Sequence, residues 1–215
     1  MKKSHYDLAR HILGQDFITP EEIAKARGLT YSDKLLRQFK DTLPLEDDLN
    51  YCQANGFMLV AGPPQPLNLL EIRGLNPVYF YSKSGGWYAN DSHKFSREDK
   101  VNPCWLALRK EPVPNSTSKT WDEQSQLLSD KEMEQVPNTP EESWGLTTYK
   151  AVRNVYLLPD KYVRTSSLVS DGCRVLVGGF VSDGLDIVYY WGNDRGIGIG
   201  VASSLLPAGR EVPVK

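Results

Sequence analysis

The sequence predicts an α+β protein: a helical N-terminal part followed by a mixed domain that ends in an antiparallel sheet. Three observations predict it. Apolar residues recur at helical spacing through the first quarter of the chain. From Pro77 onward the apolar period shortens toward two. In the final third, apolar runs follow one another at a spacing of about ten residues with Asp-Gly pairs between them, as in consecutively paired strands. A helical region over 1–56 and a mixed α/β domain over 57–215 are the expected units, with one continuous core as the alternative.

Each element has its own signal. Leu8, Ala9, Ile12 and Leu13 form an apolar stripe between His5 and Gln15. In "ITPEEIAKARG", Thr19 is placed to cap a helix, Pro20 suits its first position, Glu22 completes a capping box and Gly28 ends it. "TYSDKLLRQFKDTL" starts another helix with Leu35, Leu36 and Phe39 inward. "PLEDDLNYCQANG" is a third, from near Pro44 to Asn55-Gly56. "FMLVAGPPQP" reads as a short buried strand stopped by Gly-Pro-Pro, and "LNLLEIRGL" as one or two helical turns. "VYFYSKSGGWYA" predicts a hairpin turning at Ser84-Gly85-Gly86. "PCWLALRK" is a strand, and "TWDEQSQLLSDKEMEQV" is a helix with Thr120 and Glu123 as its capping box, broken by "PNTPEES". Strands "AVRNVYLL", "KYVRTSS", "CRVLVGGF", "LDIVYYW" and "GIGIGVASS" follow, and "LLPAGREVPVK" reads as a loose end.

Composition limits the function. The chain has 215 residues, 24% of them charged, and a net charge of −2, which gives no general attraction to nucleic acid or to anionic lipid. The odd number of cysteines, Cys52, Cys104 and Cys173, lie far apart, against both a disulfide framework and a zinc knuckle. No secretory signal or run of about 18 apolar residues is visible, so a soluble, cytoplasmic protein is expected, with no membrane partner.

Residue chemistry narrows it further. His5, His11 and His93 have no cysteine at ligand spacing, so no metal and no other cofactor is expected. No serine sits in a nucleophile elbow, and "GIGIG" lacks the lysine of a phosphate loop. Its alternation would place Gly196, Gly198 and Gly200 on one bare strand face, open to a backbone or a ligand. Two other function classes remain as alternatives. A helix-turn-helix over residues 20–40 would bind DNA through Lys25, Arg27, Lys34, Arg37 and Lys40, although Glu21, Glu22 and Asp33 offset that charge. An enzyme would most readily place its site in "SHKFSRED", with His93, Arg97, Glu98 and Asp99.

The favoured reading rests on "DGLDIVYYWGNDRGIGIGVASS", residues 183–204. Leu185, Ile187, Tyr189 and Trp191 share one strand face, and Asp186, Val188 and Tyr190 share the other. Tyr190, Asn193, Asp194 and Arg195 would then be displayed at the strand end. Tyrosine supplies contact area at low rotamer cost, and the others supply hydrogen bonds, the mix of a recognition surface without a general base.

The last third resembles the end of a C-type-lectin-like domain, as in formylglycine-generating-enzyme relatives and the variable proteins of diversity-generating retroelements. "YLLPDKYVRTSS", "RVLVGGF", an Asp-Gly turn and "DIVYYWGNDRGIGIGVASS" carry the likeness. It implies a C-type-lectin-like fold over 57–215 and ligand-binding residues at Asp186, Val188, Tyr190, Asn193, Asp194 and Arg195. The disulfides and the Glu-Pro-Asn calcium motif of animal lectins are absent, as are the paired cysteines of the oxidising enzymes. Neither calcium-dependent sugar binding nor that oxidation is implied. The whole chain is also similar to a group of bacterial proteins with "HYDLARHILGQDF" starts and "YVRTSS" near the end, a likeness that implies no activity. The expected function is a non-catalytic module that recognises a protein or small molecule, in the manner of a diversified variable protein.

Overall fold

A computed structural model describes residues 5–129 and 133–205. Of the expected loose end at 205–215, Leu205 is described and belongs to a strand, and 206–215 lie outside the described residues, as do 130–132 within the expected helix from Thr120.

Helix α1 spans His5–Leu13 and a short strand β1, Phe17–Ile18, follows. Helix α2 is Pro20–Arg27, and its start carries the reciprocal Thr19–Glu22 box that the sequence spells. Gly28 ends it in the left-handed region at φ 68°, a conformation that glycine adopts without steric cost. Helix α3, Asp33–Asp41, is capped by the Ser32 side chain, and α4 spans Glu46–Ala54. Then come β2 (Phe57–Ala61), α5 (Leu69–Leu75), α6 (Phe95–Glu98) and β3 (Trp105–Arg109). Helix α7 covers Trp121–Ser129 and β4 covers Glu134–Gln135.

Helix α8, Thr139–Arg153, is the element that the sequence reading missed. "PNTPEES" does not merely break the preceding helix. Asn138 caps α8 with Glu141 as the reciprocal partner and Pro140 in the first turn. "AVRNVYLL" is correspondingly not a strand: its first three residues finish α8, and Asn154 closes the helix at φ 58°. The reading failed because α8 is buried on nearly every side, from Thr139 through Tyr149, which erases the one-sided apolar stripe of a surface helix.

The chain ends with β5 (Tyr162–Leu168), β6 (Arg174–Val181), β7 (Gly184–Tyr190), β8 (Ile199–Val201) and β9 (Ser204–Leu205). The first sheet has the order β1-β2-β3-β9-β4 and the second β7-β6-β5-β8. Helix α8 packs against β2 and β3 of the first sheet and against β5 and β6 of the second, so it is the layer between them. Gly145 is the point of closest approach, since a Cβ there would overlap the Leu108 side chain and meet Met58 Cε at 2.9 Å. The opposite face of the first sheet is covered by α4, against which α1 packs. One cluster of buried apolar residues runs from Ala9 to Ala202 and includes Phe39, Leu59, Trp144 and Ile187. The fold is α+β.

Three further expectations are corrected. Residues 77–89 make two short 3₁₀ turns, Pro77–Tyr79 and Trp87–Ala89, and not a hairpin. This segment bonds to β7 instead of pairing with itself: Tyr81 N–H donates to Leu185 O at 3.0 Å and Trp87 Nε1 to Ile187 O at 2.7 Å. These bonds satisfy outward carbonyls on an edge strand. "GIGIG" is strand only from Ile199, and β8 pairs with β5 in parallel. Pairing in the final third is thus not wholly consecutive and antiparallel.

Candidate functional site

The second sheet positions the site. Val163, Val175, Val177, Leu185 and Ile187 turn toward the main core and are at most 2% exposed. The alternation predicted for β7 is therefore present. Register places Asp186, Val188 and Tyr190 opposite Gly178, Leu176 and Arg174, with Tyr162 and Arg164 in the next strand, all on the other face.

That face is not an open display surface. Its inner half is roofed by residues 112–128 and by the turn after β7, which bury Leu176 and Arg164 completely and form a second small core from Val113, Leu128 and Val201. Gly200 faces this roof: a Cβ there would overlap Pro112 and approach Ser116 Oγ at 2.7 Å. The close neighbour expected for the glycine run is thus the chain itself, and Gly196 and Gly198 lie in the turn. What remains accessible is the outer rim. Asp186 and Val188 are half-buried, Asp194 is half-buried, and Tyr190, Asn193 and Arg195 are exposed. Trp191 and Ile197 join them at 56% and 88% exposure.

Arg164 holds the rim in place, and sequence reading missed it. Its Nη1 donates to Lys119 O (3.1 Å) and Gln124 Oε1 (2.8 Å), and its Nη2 to Asp194 O (2.7 Å) and Trp191 O (3.4 Å). No carboxylate is bonded in this set, so the guanidinium rests on backbone carbonyls and the Gln124 amide; burial lowers the Arg164 pKa, and the nearby Asp194 charge opposes that in part. The available signal was an arginine inside the strand "KYVRTSS", where an exposed cation would be ordinary. Its neighbours are also structural. Thr165 bonds Thr139 Oγ1 at 2.8 Å, and the Ser167 hydroxyl donates to Asp99 at 2.5 Å while accepting from Thr139 N–H.

Around the rim, Tyr162 Oη donates to Asp186 at 3.1 Å, Arg195 pairs with Glu123 at 3.0 Å, and Arg174 stacks over Trp121 at 3.9 Å. Tyr189 packs edge-on against Trp87 at 4.7 Å. Burial, and then the neighbouring Asp186 carboxylate, push the Tyr162 hydroxyl up to about 12, so it stays a donor at neutral pH. These groups bind and orient. None is arranged as a nucleophile with a base.

Replacing Arg164 with methionine removes the clamp and leaves carbonyls without partners. Amide exchange at 191–195 is expected to quicken at least tenfold, and stability to fall by about 1–3 kcal/mol. Unchanged exchange in that turn would show that Arg164 does not hold it.

The alternative sites are dispersed. Arg27, one of the five cations of the DNA-binding reading, is buried, stacked 4.3 Å from the Trp144 ring and bonded to Thr148 Oγ1 at 2.7 Å. Lys25, Lys34, Arg37 and Lys40 remain exposed. In "SHKFSRED", Arg97 binds Ala89 O and Asp91, His93 lies against Trp87, and Asp99 accepts from Ser167, so these groups serve different neighbours. Among the described residues, no three His, Cys, Asp or Glu side chains are placed to share a metal ion. No helix among them is long and apolar enough to cross a membrane. Compared with family models, curated proteins and solved structures, the chain matches none.

Proposed function

We propose that the protein is a non-catalytic recognition module that binds a protein or small-molecule ligand through the rim of its second sheet. The observation that carries this reading is the exposure of Tyr190, Trp191, Asn193 and Arg195 on a turn fixed from beneath by the buried Arg164. A rigid turn loses little entropy on binding, and exposed aromatics beside hydrogen-bonding groups are the composition of binding hot spots. Asp186, Val188 and Asp194 would line the inner edge of the contact. Nucleic acid is a poor partner for a chain of net charge −2 whose Arg27 is turned inward. Within this proposal the likeness to C-type-lectin-like variable proteins supplies the fold relationship and a cytoplasmic, diversified binder as the biological setting.

The test is selection of ligands from a random peptide display library on the wild-type chain, counter-screened on Tyr190→Ala/Asn193→Ala. Both side chains are exposed, so the melting temperature should stay within about 2 °C. Selected peptides should lose at least tenfold in affinity. Peptides that bind the double variant equally well would place the recognition surface elsewhere, and a large fall in melting temperature would make these core residues.

A further inference from the structure

On the face of the first sheet away from α8 lies a cavity of about 480 Å³, within the roughly 300–1,000 Å³ of small-molecule sites. Strand alternation sets its floor. Met58 and Leu108 point at Gly145 of α8, so their neighbours Leu59 and Ala107, which are paired across β2 and β3, point the other way and line the cavity. Trp105 forms one side, held by the bond from its Nε1 to Phe39 O at 2.8 Å. Leu43, Leu45 and Cys52 continue the apolar wall. Burial, and then the Asp48 carboxylate, push the Cys52 thiol up to about 12, so it stays uncharged at neutral pH.

The lining turns acidic where it meets solvent. Asp41, at the end of α3, is exposed, and Asp48, in the first turn of α4, is half-buried. Among the described residues, no lysine, arginine or histidine lines the cavity. Helix dipoles do not cancel this charge. The C-terminus of α3 adds partial negative charge beside Asp41, and the N-terminus of α4 offers only about half a positive charge against Glu46, Asp47 and Asp48 in its first turn. We infer that this cavity binds a small organic ammonium ion, with its apolar body on the sheet and its N–H groups at Asp41 and Asp48. A carboxylate or phosphate ligand would meet like charge there, and a neutral one would leave both carboxylates unused. Gln38, also in the lining, adds an amide oxygen, so the acceptors suit a primary or secondary ammonium with several N–H groups to place. The site belongs to the first sheet and uses no residue of the second sheet's rim.

The experiment titrates the full chain with octylamine, octanol and octanoate, which share one apolar tail and differ in head-group charge at neutral pH. Titration calorimetry should find octylamine bound roughly tenfold or more tighter than octanol, as charge-assisted hydrogen bonds require, with octanoate weakest. Maleimide labelling of Cys104, half-buried in the cavity lining and read by peptide mass, locates the ligand: octylamine should slow it. Asp41→Asn/Asp48→Asn should bind octylamine no better than octanol. Asparagine keeps an acceptor for the Leu45 N–H that Asp48 caps, so this variant should fold as the wild type does. Equal affinity of the wild type for octylamine and octanol overturns the proposal. So does octylamine binding that leaves Cys104 labelling unchanged or survives in the asparagine variant, which means another site. Failure of all three probes to bind also overturns it, because the cavity is then closed to outside ligands.

Discussion

Replacing Glu142 with glutamine is expected to raise stability at pH 7 by about 3 kcal/mol. Glu142 is 1% exposed within α8, and neither carboxyl oxygen has a hydrogen-bond partner among the described residues. Burial, and then the nearby Glu141, push its pKa from 4.5 up to about 8. The folded protein therefore holds it protonated while the unfolded chain ionises it. Folding must take up a proton at neutral pH, and the cost grows as pH rises from the unfolded value toward the folded one. Glutamine has nearly the same shape and does not ionise, so it removes the pH-dependent part and keeps a buried polar group. Urea unfolding at pH 5 and pH 7 checks this. The variant's advantage should be small at pH 5 and large at pH 7. An equal difference at both pH values would mean that Glu142 keeps its charge through an unseen partner.

Glu142 also explains why α8 was hard to read. Thr139, Glu142, Ser143, Thr147 and Thr148 are all buried there, and a segment so polar looks like loop or surface. The threonines spend their polarity on bonds, Thr147 Oγ1 to Ser143 O at 2.7 Å, Thr139 with Ser167 and Thr148 with Arg27, whereas the Glu142 carboxyl and the Ser143 hydroxyl have no partner among the described residues. That information is tertiary and leaves no periodic trace. The N-terminal helices were legible because their signals are local: the Thr19 box, the Gly28 stop and the inward Phe39 need nothing from distant residues. The same contrast holds at the rim. The alternation of β7 could be read from one strand. The roof over its inner face depends on residues 112–128, and the hold on the turn depends on an arginine some thirty residues upstream. Hence the exposure of Tyr190, Asn193 and Arg195 was legible in the sequence, and the group that fixes their turn was not.

Replacing Glu134 with leucine is expected to cost about 3–5 kcal/mol, the penalty of leaving a buried partner charge alone. Glu134 on β4 accepts from Tyr51 Oη at 2.7 Å, Arg109 Nη2 at 3.2 Å and Ser203 Oγ at 2.5 Å. These bonds tie α4, β3 and the start of β9 to one carboxylate. Burial alone would raise its pKa, but the bonds from Ser203, Tyr51 and Arg109 outweigh burial and hold it below 4.5. Its contribution is thus present above that value and lost as pH falls through the lower folded value. Arg109 is only 8% exposed, with its guanidinium 4.6 Å from the Phe57 ring, so without Glu134 its charge has no escape to water. Adding Arg109→Met to the leucine variant should return at least half of the loss, because the stranded cation is then gone. Chemical unfolding of the two single variants and the double at pH 7 measures the coupling. Additive losses would mean that Glu134 acts through packing at the β4–β9 seam, and that the ion pair contributes nothing of its own.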